Sequence, residues 1–178
     1  MSRSYQESLT VFSVIRHESA HVAAAFLRLG PDAVRGVTRQ PEGNLLGCAS
    51  LTIPDDAVFT KHPKLLAMDS AVVLCAPFWI EVSKGVGDIR GSDRDIRKAS
   101  SECAKVAYSY AGKVADPEAW VDDWMNQVHE QVKELIDSRI FWACVNAIEL
   151  ALDSYPTLSG DVARAILAKA ISDQRIVH

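Results

Sequence analysis

His17-Glu18-Ser19-Ala20-His21 sets two imidazoles four residues apart with a carboxylate beside the first. At about 3.6 residues per helical turn, positions i and i+4 lie one above the other on one face, so both rings can reach a single metal ion. In zinc sites each imidazole nitrogen lies about 2.0–2.1 Å from the ion. Glu18 is rotated away from that face. In sites of this kind such a carboxylate is not a ligand but takes a proton from water at the metal. The stretch is a candidate metallohydrolase centre; the competing interpretation is two histidines hydrogen-bonded on a helix surface.

A catalytic zinc usually has three protein ligands and one open position, so one ligand remains to be found. His62 precedes a proline, His129 falls in a long helical pattern, and His178 is the last residue. Asp88, Asp93 and Asp95 cluster near the start of another helical pattern, where a rigid element can present a side chain inward. Spacing does not choose among the three aspartates, which would equally well complement the positive end of a helix dipole.

The element carrying the histidines runs from about Gln6 to Leu29, with Leu9, Phe12, Val14, Ile15, Val22, Ala23, Phe26 and Leu29 at helical recurrence before Gly30-Pro31 ends it. Val34 to Gln40 reads as a strand, Pro41-Glu42-Gly43-Asn44 as a turn, and Leu45 to Ile53 as a second strand, together a hairpin. In its second arm Leu45, Gly47, Ala49, Leu51 and Ile53 share one face. A helix follows from about Pro63 to Cys75, which Pro77 is expected to break or kink. The loop with Gly85, Gly87 and Gly91 lacks a preceding strand and is a poor phosphate-binding signature. Further helices are expected at about Asp93–Ala111, capped by Ser92 or Asp93, at Glu118–Leu152, and at Gly160–Asp173 with Ser159 as N-cap. The fold class is therefore mainly α: about five helices around a small β-hairpin, with a zincin-like H-E-x-x-H helix, in a single domain spanning 1–178.

The chain has 178 residues, 48% hydrophobic and 24% charged, with a formal net charge of -4, so it carries no basic footprint for nucleic acid. Met1-Ser2-Arg3-Ser4-Tyr5-Gln6-Glu7 is too polar for a signal peptide, and no apolar run is expected to reach the roughly 20 residues of a membrane span. Cys48, Cys75, Cys103 and Cys144 stand singly among apolar neighbours, as buried free thiols do. These features together give the expectation of a cytoplasmic protein.

The ordered motifs resemble the peptidase domain of the FtsH-type ATP-dependent zinc proteases over nearly all of the chain. His17-Glu18-Ser19-Ala20-His21 is similar to that family's H-E-A-G-H. Val37-Thr38, Pro41-Glu42-Gly43 and Leu46-Gly47 are similar to its hairpin, and Leu74 through Glu81 to its L-x-G-x-x-A-E helix. Gly91 through Ser100 resembles its T-G-A-x-x-D-[IL]-x-x-A-T segment, and Thr157-Leu158-Ser159-Gly160 its T-L-x-G. The resemblance implies Zn2+ held by His17, His21 and Asp95, with Glu18 as the catalytic base. The extended substrate is expected along the hairpin edge at Leu46, Gly47, Cys48 and Ala49, where main-chain hydrogen bonds can add a strand. The chain departs from the pattern at Ser19-Ala20, at Pro77-Phe78-Trp79 and at Arg90.

The family's proteins carry an ATPase domain, whereas this chain has no G-x-x-x-x-G-K-[ST] loop. The expected function is thus a zinc-dependent metallopeptidase, an endopeptidase acting on flexible or unfolded polypeptides, independent of ATP unless a separate AAA-type ATPase partner supplies substrate. The resemblance also implies a homo-oligomeric ring, although in the family the ATPase domains share in its assembly. The alternatives are a catalytically weak or inactive FtsH peptidase-like binding or regulatory module, and a structural interaction protein without metal.

Overall fold

A computed structural model describes residues 3–41, 47–52, 63–84, 89–109 and 116–176, with the backbone alone for 3–12, 84, 89–91 and 176. Helix α1 (Arg3–Arg28) is followed by Gly30, whose φ of 92° suits a residue without a Cβ, and by a short 3-10 turn at Pro31–Ala33. Strands β1 (Val34–Thr38) and β2 (Cys48–Leu51) precede helices α2 (Pro63–Lys84), α3 (Ile89–Ser109), α4 (Pro117–Ile136) and α5 (Arg139–Ser154). Strand β3 (Thr157–Ser159) and helix α6 (Gly160–Ile176) complete the order.

The architecture is mainly helical, as expected, with six helices and a three-stranded antiparallel sheet among the described residues. Helix α1 is central because Ala20, Val22, Ala23, Ala24 and Ala25 are all fully buried, and such small side chains let α2, α5 and the sheet approach closely. Around it one core joins Val72 and Ile80 of α2, Val128 of α4, Phe141, Ile148 and Leu152 of α5, and Leu167 of α6. A fork from Arg16 to Glu149, Nε to Oε1 at 2.6 Å and Nη2 to Oε2 at 3.3 Å, ties α1 to α5.

Strand β1 pairs with β2 as expected, in the register Val37↔Ala49 and Thr38↔Cys48. Of the expected turn at Pro41-Glu42-Gly43-Asn44, residues 42–44 lie outside the described residues, as do Leu45, Leu46 and Ile53 at the ends of the second arm. The hairpin reading was incomplete, since β3 pairs on the other side of β1, giving the order β2-β1-β3. Three residues are too few for an alternation to stand out in sequence, so only the partner strand reveals β3.

Two helix expectations are corrected. The pattern from Glu118 to Leu152 is two helices, α4 and α5, separated at Asp137-Ser138. Short polar side chains there favour caps over helix interior, and the Trp142 indole N–H donates to the Ile136 carbonyl at 2.6 Å, satisfying a group that the helix end leaves free. Conversely, α2 runs unbroken through Pro77, because buried residues on both sides of the proline, Cys75, Ala76 and Ile80, hold it in the core. The continuous helix also corrects the expectation about apolar runs. Pro63–Ser83 is long and apolar enough to cross a bilayer by length and composition, although 67% of its most apolar stretch is buried within the fold. Helices α1, α3 and α4 cover it.

Cys75, Cys103 and Cys144 are buried free thiols, as expected, and Cys48 is half-buried. Burial pushes the Cys75 thiol up to about 12 and the Cys103 and Cys144 thiols to about 11, so none of these three is a nucleophile at neutral pH.

Candidate metal centre

Helix α1 presents His17 and His21 on one face, their ring centroids 4.9 Å apart and their planes at 81°. Asp95, on α3, brings Oδ2 to 3.1 Å from His17 Nε2 and 3.2 Å from His21 Nε2. One ligand atom from each of the three residues lies within 4.8 Å of the others. Ligand atoms around a tetrahedral zinc with bonds of about 2.0–2.1 Å stand roughly 3.3 Å apart, so this donor set has the chemistry and spacing to hold one such ion. The fold brings together the three residues that the resemblance implied as ligands.

Helix α2 fixes the far nitrogen of both rings. His21 Nδ1 lies 2.9 Å from the Val73 carbonyl oxygen, which can only accept, so Nδ1 carries the hydrogen. His17 Nδ1 donates to Glu81 Oε1 at 3.2 Å, and the other oxygen of Glu81 accepts from the Ser92 hydroxyl at 2.8 Å. Each imidazole therefore turns its Nε2 toward Asp95, the orientation that second partners impose on metal-binding histidines.

The electrostatics match this geometry. Burial alone would lower the His17 pKa, but hydrogen bonds to Asp95 and Glu81 outweigh it and raise the value to about 9 in the metal-free protein. Burial would raise the Asp95 carboxyl, yet hydrogen bonds from His17 and His21 hold it well below the usual carboxylate range.

Glu18 is only 9% exposed, and that burial pushes its carboxyl up, with His21 and His17 partly offsetting the shift. The Ala49 backbone N–H donates to it. A Cβ at Gly47 would stand 3.1 Å from Glu18 Cγ, so β2 and the residue before it pack directly on the proposed base. Of the expected substrate-binding residues, Gly47 and Ala49 lie against Glu18, Cys48 pairs with Thr38, and Leu46 lies outside the described residues. Among the described residues β2 has a neighbouring strand on one side only.

The remaining candidates separate cleanly. Asp93 is exposed and pairs with Arg97 one turn along α3. Helix α3 begins at Ile89, so Ser92 and Asp93 do not cap it as expected, and the Ser92 hydroxyl goes to Glu81 instead. Asp88, His62 and His178 lie outside the described residues. His129 accepts the Trp79 indole N–H at 2.9 Å, beneath a Lys133 ammonium 4.8 Å from that ring. Sequence reasoning assigned no role to Glu81 or the Val73 carbonyl and offered Ser92 only as a helix cap, because their partners lie on other helices and no spacing announces them.

No protein-family model matches the chain, and a comparison with curated proteins finds no match.

Proposed function

We propose that this chain is a zinc-dependent peptidase acting on flexible polypeptides, a member of the FtsH-like peptidases by its ordered motifs. The observation that carries the reading is the convergence of His17 Nε2, His21 Nε2 and Asp95 Oδ2, with the buried Glu18 on the adjoining face of the same helix. When bound, zinc supplies Lewis acidity that polarises a carbonyl and lowers the pKa of water toward about 7.

The chain's own groups do the rest. Glu81 and Val73 hold the hydrogens on Nδ1, so Nε2, which faces Asp95, is the atom of each ring that would give up its hydrogen to bind an ion. Burial raises the Glu18 carboxyl above its ordinary value, the direction that suits a group which accepts a proton from water and returns it to the departing amine. The Ala49 N–H and the wall at Gly47 keep that carboxylate from swinging away. Among the described residues β2 has no strand on the side away from β1, where main-chain groups alongside Glu18 can meet an extended peptide, and this favours polypeptide over a small substrate.

The test compares wild type with Glu18→Gln and His17→Ala for zinc content and for cleavage of an unfolded polypeptide. Wild type is expected to hold about one zinc per chain and to cleave. Glu18→Gln should keep the zinc and lose at least about 100-fold in rate, within the range for removing a general base. His17→Ala should lose both. A wild-type chain that takes up no zinc, or cleavage indifferent to Glu18→Gln, overturns the proposal.

A further inference from the structure

A helix carbonyl normally accepts from the N–H four residues on. For Val73 that residue is Pro77, which has no N–H, and its ring crowds the same carbonyl. Val73 is 2% exposed, so water is a poor substitute, and an unpartnered buried carbonyl is costly. The donor that reaches it is His21 Nδ1–H, at 2.9 Å. An interior proline and a proposed metal ligand on a different helix thus complete each other.

We infer that Pro77 is a positioning residue for His21. By withholding a backbone N–H it leaves the Val73 carbonyl free to hold the imidazole in the tautomer whose Nε2 faces Asp95. The inference rests on the zinc reading of the same site. Val73, Pro77 and Glu81 follow one another at four-residue steps and share one face of α2. The two outer positions grip the two histidines, His21 through a backbone oxygen and His17 through a carboxylate. A carboxylate side chain can serve without altering the helix; a backbone oxygen in mid-helix is freed when its usual donor is missing. The proline that disfavours the helix locally therefore has a use in the tertiary structure.

An alanine at 77 brings back the N–H, which competes for the Val73 oxygen and weakens its hold on His21. Zinc affinity, measured by competition with a chelator, is expected to fall about tenfold in Pro77→Ala, the lower end of the range for losing a partner of a metal-binding histidine. Replacing residue 77 by lactic acid, whose ester has neither N–H nor ring, should restore affinity to within about twofold of wild type. A merely structural proline predicts the opposite pattern: unchanged affinity in Pro77→Ala, or equal loss in both variants, and either result overturns the inference.

Should Pro77→Ala fail to fold, imidazole proton–nitrogen NMR correlations of the wild type decide. A His21 Nδ1–H protected from exchange supports the inference, and a His21 Nδ1 that carries no hydrogen overturns it. If the wild type binds no zinc, the zinc reading fails by itself. The same spectra of the metal-free protein still test the Val73 bond, and a His21 Nδ1–H as protected in folded Pro77→Ala as in wild type overturns it.

Discussion

Gly47→Ala tests whether the wall behind Glu18 matters. The added methyl would lie 2.6 Å from Val14 Cγ1, 3.0 Å from the Thr38 carbonyl oxygen and 3.1 Å from Glu18 Cγ, where ordinary contact begins at 3.4 Å. Thr38 belongs to β1, which is paired on both sides, so the backbone oxygen has little freedom to retreat. The side chains of α1 must yield instead, Val14 by about 0.8 Å and Glu18 by about 0.3 Å. Overpacking of this kind costs about 1–3 kcal/mol, a fall of roughly 2–10 °C in Tm for a chain of this size. A displacement of about 1 Å at a reacting group costs on the order of 100-fold in rate, so the shift of about 0.3 Å at Glu18 is expected to cost about fourfold in kcat/KM. Zinc content should be unchanged, since the three atoms nearest the added methyl, on Val14, Thr38 and Glu18, belong to no proposed ligand. Adding Val14→Ala removes the tightest contact, and the double variant should be more stable than the two single losses combined imply. Melting curves, zinc analysis and peptide cleavage on the four proteins provide the readouts. A Gly47→Ala protein with wild-type Tm and activity would refute the packing argument, because the methyl would then have found room the geometry denies it.

Three further outcomes are expected. Burial and the nearby Lys133 depress the His129 pKa below its ordinary 6.5, so the unfolded chain takes up this proton before the folded one does. The corresponding stability is present above pH 6.5 and is lost as pH falls from there toward the folded value, a slope that His129→Gln should remove from melting curves recorded across pH. The Ser19 and Ser70 hydroxyls are buried without a hydrogen-bond partner. Ser19→Ala and Ser70→Ala should therefore each stabilise the protein by about 1 kcal/mol in denaturant titrations, and destabilisation would mean that the hydroxyls have partners after all. Trp142→Phe keeps an aromatic ring but deletes the donor to the Ile136 carbonyl, and it should destabilise by about 1 kcal/mol at the α4–α5 junction. No change in stability would show that the carbonyl finds another donor without loss.

What could be read from the sequence depended on residues interacting with near neighbours. The four-residue step from His17 to His21 needs only helical geometry to put both rings on one face, and the apolar recurrence around them announces the helix. The alternation through Gly47, Ala49 and Leu51 likewise identified a strand with one apolar face, and Ala49 and Leu51 do pack against the core. Asp93 and Asp95 were indistinguishable by local pattern. The resemblance singled out Asp95, and the fold brings it to both histidines while Asp93 turns to Arg97.

Tertiary structure alone decided the rest. Helix α2 continues through Pro77, and the helix after Asp116 ends at Ile136, because buried neighbours and cross-helix donors outweigh or reinforce local preference. Glu81, Ser92 and the Val73 carbonyl gained their roles from partners 64, 11 and 52 residues away. A periodic pattern records which side of an element faces inward, but not which atom of another element it meets there, and hydrogen-bond chemistry depends on that meeting.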